Sequence, residues 1–164
     1  MSSGWYHRPM NGKRFFLGLA LALMASATIA APSDKAAACH LEIKNAWVRA
    51  APPMSMQLAG YASLENHCSK SVTVSSVSSR DFGMAMVHAT VVENGVSKMR
   101  HVAELTIPTK GSVAFTPGGR HLMLMMPARE LKPGDKVSLT FALASGEQVV
   151  AEFPVLRNAP VTGK

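Results

Sequence analysis

The stretch from Met84 to Val102, MAMVHATVVENGVSKMRHV, decides how this chain folds. Apolar and polar residues interleave on both sides of Asn94-Gly95, and those two residues tolerate the positive φ of a type I′ turn. Two strands joined by a two-residue loop follow. Glu93 then stands opposite Val96, His88 opposite His101, and Thr90 opposite Met99. Strand side chains alternate between faces with period two. His88 and Met99 are therefore diagonal neighbours on one face, with Cα atoms about 7–8 Å apart.

The same alternation extends outward in both directions. Leu41 and Ile43 alternate with Glu42 and Lys44, and Trp47-Val48-Arg49 continues a first strand that Pro52-Pro53 ends. Met54 to Leu58 is expected as a loop or short turn, and Tyr61 to Glu65 as the next strand. Val72, Val74 and Val77 lie in a serine-rich strand with one wet face, and Arg80-Asp81-Phe82-Gly83 is expected as a turn. Beyond the hairpin come a short edge at Leu105 to Pro108, then strands at Val113 to Phe115, His121 to Met126, Val137 to Leu143 and Val149 to Val155. No stretch carries a convincing helical period. Eight or nine short strands with turn signals at intervals of about 8–12 residues predict an all-β antiparallel sandwich or barrel.

The length of 164 residues accommodates one domain. His7, Arg8, Lys13 and Arg14 precede the apolar run FFLGLALALM from Phe15 to Met24, and small residues follow to Ala31. That order of basic, apolar and small segments predicts a secretory signal peptide over residues 1–30. The run falls short of the ~20 apolar residues a membrane anchor needs. The remaining organisation is a short leader at 31–40, a β-sandwich domain at 41–157 and a polar tail at 158–164, with no membrane span in the mature chain. The full chain carries +7, and removing Arg8, Lys13 and Arg14 leaves 14 basic against 10 acidic side chains. The bases are scattered singly, which argues against a nucleic-acid partner. Cys39 and Cys68 permit one disulfide in an oxidising compartment, a staple between neighbouring strands that the sequence alone does not decide. Cys39-His40 has a second reading as a mobile copper-binding arm. The run AAAC ending at Cys39 lies too far beyond the apolar segment to serve as a lipidation site.

Metal chemistry enters with four residues. Ten residues separate His88 from Met99, twenty-one separate Met99 from His121, and one separates His121 from Met123. His121 and Met123 share a face by alternation, and Pro117-Gly118-Gly119 delivers them at a strand start. Thioether sulfur is a soft donor suited to Cu(I), imidazole also serves copper, and zinc would normally recruit thiolate, imidazole or carboxylate. A blue-copper centre would require a Cys thiolate beside two His, and neither cysteine lies nearby. Taken singly, each Met reads as core filler as readily as ligand, and each His as a hydrogen-bonded structural residue. Met86 and Met125 are either packing or gating residues. His101, opposite His88, is either an auxiliary ligand or a surface histidine.

With its two long spacings, the set His88, Met99, His121 and Met123 resembles the signature of the periplasmic Cu(A)-site copper chaperones, the PCuAC family. Asn45-Ala46-Trp47-Val48-Arg49, Gly60-Tyr61, Met99-Arg100 and Pro117-Gly118-Gly119 also resemble that family, over about Leu41 to Val155. Ala89 and His101 depart from it, standing where Met and Pro are frequent. The resemblance implies a cupredoxin-like β sandwich that binds one Cu(I) per chain through the four named residues. It further implies a periplasmic carrier rather than an enzyme, monomeric, exchanging copper with a donor or acceptor protein. The Cu(A) domain of cytochrome c oxidase and a Sco-type protein are the expected partners. Copper storage, acquisition or detoxification without an oxidase role is the alternative.

Overall fold

A computed structural model of the protein describes residues 39–160. The expected signal peptide, most of the leader and the last residues of the tail lie outside that range. The described chain forms ten strands: β1 (Leu41–Arg49), β2 (Gln57–Asn66), β3 (Val72–Ser79), β4 (Phe82–Glu93), β5 (Val96–Val102), β6 (Leu105–Ile107), β7 (Ser112–Phe115), β8 (Arg120–Pro127), β9 (Lys136–Leu143) and β10 (Gln148–Leu156). Among the described residues there is no helix, and hence none long and apolar enough to cross a membrane.

The hydrogen-bonded path runs β5-β4-β8-β2-β1-β10-β9-β3-β6, and a further β3–β4 pairing closes seven of these strands on themselves. Every neighbour in the ring is antiparallel except β1 and β10, which are parallel. This departs from an all-antiparallel arrangement for a topological reason. A ring with an odd number of strands cannot alternate direction all the way round, so at least one pair must be parallel. β5, β6 and β7 attach outside the ring, to β4, β3 and β2.

The alternation read from the sequence fills the interior. Val48, Leu64, Ile107, Leu122, Leu124, Leu139, Phe141, Phe153 and Val155 are fully buried, and Phe141 stacks on Phe153 at 6.3 Å between ring centroids. Two turns differ from expectation. β2 starts at Gln57 rather than at Tyr61, because Gln57 to Gly60 pair with Met125 to Leu122 of β8. Phe82 and Gly83 join β4, and the turn before it contracts around Asp81, whose carboxylate accepts the Ser138 amide proton at 3.0 Å. A bulge between Lys44 and Trp47, with Asn45 at φ 51°, shifts the β1–β2 register by one residue. Val48 thereby turns into the core, and Trp47 lies on the other face against Tyr61, with the Arg49 guanidinium over both rings.

Cys39 and Cys68 are joined in a disulfide. This disposes of the mobile-arm reading of Cys39-His40. The sulfur is engaged, and the His40 carbonyl accepts the His67 amide proton at 3.0 Å, extending the β1–β2 ladder. The bond also occupies the sulfur that lipid attachment at Cys39 would need.

Candidate metal centre

The Asn94-Gly95 turn has φ of 51° and 74°, and the register around it is the one the two-residue loop dictates: His88 opposite His101 and Thr90 opposite Met99. β4 is therefore flanked by β5 on one side. On the other lies β8, which pairs His88 with His121 and Met86 with Met123. Directly opposed residues share a face of the sheet. Three adjacent strands thus carry one row of imidazoles, His101–His88–His121, and beside it the thioethers Met86, Met99 and Met123. The His88 ring centroid lies 5.9 Å from that of His101 and 6.0 Å from that of His121. All four residues of the spacing pattern come onto one face, and His101 and Met86 come with them.

Position on the sheet grades their exposure. β5 ends the hydrogen-bonded path, so Met99 is 61% exposed and His101 is also exposed. His88, His121, Met86 and Met123 are half-buried. The set contains no carboxylate. The nearest charged group on β5 is Arg100, which pairs with Ala89 and so projects from the opposite face, where Glu93 binds it and Lys98.

The hydrogen bonds sort the imidazole nitrogens. His121 Nδ1 lies 3.2 Å from the Gly119 carbonyl oxygen, which can only accept, so Nδ1 holds the proton and Nε2 presents its lone pair when the ring is neutral. That carbonyl also accepts the Thr90 amide proton at 3.3 Å, so the Pro117-Gly118-Gly119 turn fixes the ring relative to β4. In a metal site, such a bond to the non-ligating nitrogen orients the ligand. His88 Nε2 lies 3.0 Å from Met86 Sδ, a weak acceptor. Nδ1 of His88 is buried with no hydrogen-bond partner. An unmet buried nitrogen costs about 1–3 kcal/mol, and a soft electrophile would satisfy it. Burial, and then the neighbouring His121 and His101, hold the His88 pKa below the ordinary imidazole value of 6.5. His88 is accordingly neutral, with a lone pair to offer, at neutral pH.

A neutral set of imidazole and thioether donors on an open sheet face suits a soft monovalent ion such as Cu(I). Sequence reasoning found His101 through the hairpin register and placed Met86 among packing or gating residues. The residues by themselves left the two His/Met pairs unjoined, because nothing local in either strand specifies that β4 lies beside β8; the family resemblance was what grouped them. The period-two position of Met86 relative to His88 was the available signal for its place on this face.

A model of the family described as "Putative lipoprotein LpqE-like" matches residues 41–155. The "Putative lipoprotein Lxx21020" of Leifsonia xyli subsp. xyli is 30% identical over 116 residues, which span 70% of this chain and 69% of the relative. Among solved structures, the Cu(I) form of DR1885 from Deinococcus radiodurans is similar at a TM-score of 0.58 and 26% identity, covering 74% of this chain and 83% of that one. The copper-bound PCuAC domain of PmoF2 is similar at a TM-score of 0.61 and 19% identity, covering 74% and 97%. At that identity the likeness is one of fold.

Proposed function

The chain belongs to the LpqE-like family and has the PCuAC-domain fold, and on that footing we propose that it is an extracytoplasmic carrier of Cu(I). His88, Met99, His121 and Met123 hold one ion as cargo. The observation that carries this reading is the in-register meeting of His88 with His121 on β8 and of Met86 with Met123. The His88 ring, whose Nε2 lies 3.0 Å from Met86 Sδ and whose buried Nδ1 has no hydrogen-bond partner, supports this reading. The Cu(I) in the DR1885 relative supports the choice of ion.

The geometry explains how cargo could be both held and released. His88, His121 and Met123 are half-buried donors on central strands, and Met99 is an exposed donor on the edge strand. An acceptor's ligand approaches from the β5 side and displaces the Met99 sulfur first, before the buried donors let go. His101, on the same side, can take up the ion during that exchange. The protein forms and breaks no covalent bond in its partner, so it acts as a carrier and not as an enzyme. The acceptor we favour is the Cu(A) domain of cytochrome c oxidase, directly or by way of a Sco-type protein.

The test is an anaerobic Cu(I) titration against a chromophoric chelator, on the wild type and on His88→Ala, Met99→Ala, His121→Ala and Met123→Ala. One ion per chain is expected, with affinity falling at least tenfold in each variant. Retention of wild-type affinity in His88→Ala and His121→Ala would remove the assignment. Transfer to an apo Cu(A) domain, compared with a chelator of equal affinity, separates delivery from storage. A transfer rate no faster than the chelator's excludes delivery.

A further inference from the structure

A second cluster of metal-ligating side chains lies at the other end of β2. Cys39–Cys68 is the last rung of the β1–β2 ladder, and it locks the next rung, His40 opposite His67. The two imidazoles stack at 4.8 Å between centroids. Glu42 lies two residues beyond His40 and therefore on the same face, opposite Glu65. Glu42 Oε2 is 2.9 Å from His67 Nε2. One ligand atom each from His40, Glu42 and His67 lies within 4.8 Å of the others. Lys44 Nζ reaches Glu42 Oε2 at 3.1 Å and Glu65 Oε2 at 2.8 Å. If Glu42 turns toward an ion, Glu65 still neutralises the lysine.

We propose that His40, Glu42 and His67 form a second site, for a divalent first-row transition cation, with Cu(II) the tightest. Two imidazoles and a carboxylate are borderline-to-hard donors, a set met in zinc and non-haem iron sites, and divalent affinities at such a set peak at Cu(II). Metal–nitrogen bonds of about 2.0–2.1 Å require donor atoms about 3–4 Å apart. The cluster needs only a small side-chain rotation to close. On binding, the cation takes the His67 Nε2 position that now faces Glu42, any proton on Nε2 passes to solvent or to Nδ1, and the bound imidazole is neutral with its single proton on Nδ1. The side chains of Glu42 and His67 are 40% and 36% exposed, which leaves room for water or an incoming ligand on the ion. Ala59 of β2 pairs with Met123, and His67 is eight residues further along, so the two sites lie about 26 Å apart. One end of the molecule thus selects soft Cu(I) and the other a harder divalent ion. This site rests on its own residues and not on the Cu(I) assignment.

The test uses the disulfide-bonded chain with His88→Ala and His121→Ala, which strips the other face of two imidazoles. Cu(II) alone is added, followed by calorimetry and electron paramagnetic resonance. One equivalent is expected, with hyperfine coupling to two imidazole nitrogens. Adding His40→Ala or His67→Ala should weaken binding at least tenfold, and Glu42→Gln severalfold. The same three substitutions in the otherwise wild-type chain should leave the Cu(I) titration unchanged. The proposal is overturned if the His88→Ala/His121→Ala chain binds no Cu(II), or if its binding survives both His40→Ala and His67→Ala.

Discussion

Replacing His88 with leucine should make the metal-free protein more stable while abolishing its response to copper. The buried Nδ1 of His88 has no hydrogen-bond partner. An unmet nitrogen of this kind costs about 1–3 kcal/mol, and its removal with an apolar group of similar size recovers much of that. The substitution forfeits the 3.0 Å contact of Nε2 with Met86 Sδ, worth roughly 1 kcal/mol or less. The net expectation is a gain of about 1 kcal/mol, or about 4 °C in Tm for a domain of this size. Copper reverses the order. A ligand at a thousand times its Kd adds about 4 kcal/mol to the wild type, and the leucine variant forgoes it. The assay is anaerobic thermal and urea unfolding of both proteins, with a Cu(I) chelator and then with Cu(I) in excess. The two curves should cross: leucine higher without copper, wild type higher with it. A metal-free His88→Leu chain less stable than wild type by more than ~1 kcal/mol would refute the reasoning, because Nδ1 would then be satisfied in the native protein.

The lowered pKa of His88 has a stability consequence with a definite sign. The unfolded chain takes up a proton near 6.5, before the folded one does, so metal-free stability should fall as pH drops from about 6.5 toward the depressed folded value. His88→Leu should flatten that limb in urea titrations at stepped pH. Asp135 acts in a lower window. The Lys132 amide and the Arg129 guanidinium hold its pKa down, so its contribution is present above about 3.9 and is lost as pH falls through the lowered value. Asp135→Asn should cost stability at neutral pH and none in strong acid. Gly95 sits at φ 74° with open space where a Cβ would stand, so Gly95→Val should cost about 1–3 kcal/mol from backbone strain alone. Loosening the β4–β5 register should also weaken Cu(I) binding severalfold in the competition titration. The Cys39–Cys68 bond closes a loop of sequence separation 29. The Cys39→Ser/Cys68→Ser double variant should therefore lose about 3–4 kcal/mol in urea unfolding.

What the sequence determined by itself was local. Asn94-Gly95 permits one tight turn, and that turn fixes every pairing from Glu93–Val96 to His88–His101. Period-two alternation put His121 with Met123 on one face, and the structure buries Leu122 and Leu124, between and beside them, fully in the core. The donor types chose a soft ion before any fold was known. Strand limits were legible to within a few residues. The starts of β2 and β4 were missed because pairing with β8, and not any residue of their own, extends them.

Only the tertiary structure decided that the two His/Met pairs share one face of the sheet. His121 reaches His88 because β8 lies beside β4, and β5, β6 and β7 intervene in the chain. That adjacency is set by burying all the apolar faces at once in a closed ring, and no single segment encodes it. The same closure imposed the parallel β1–β10 pair. The disulfide set His40 against His67, and the sequence had offered that bond only as a possibility. Turns and alternation are short-range constraints within a strand or hairpin, and they can be read along the chain. Which strand completes the His/Met face is settled by the packing of the whole domain.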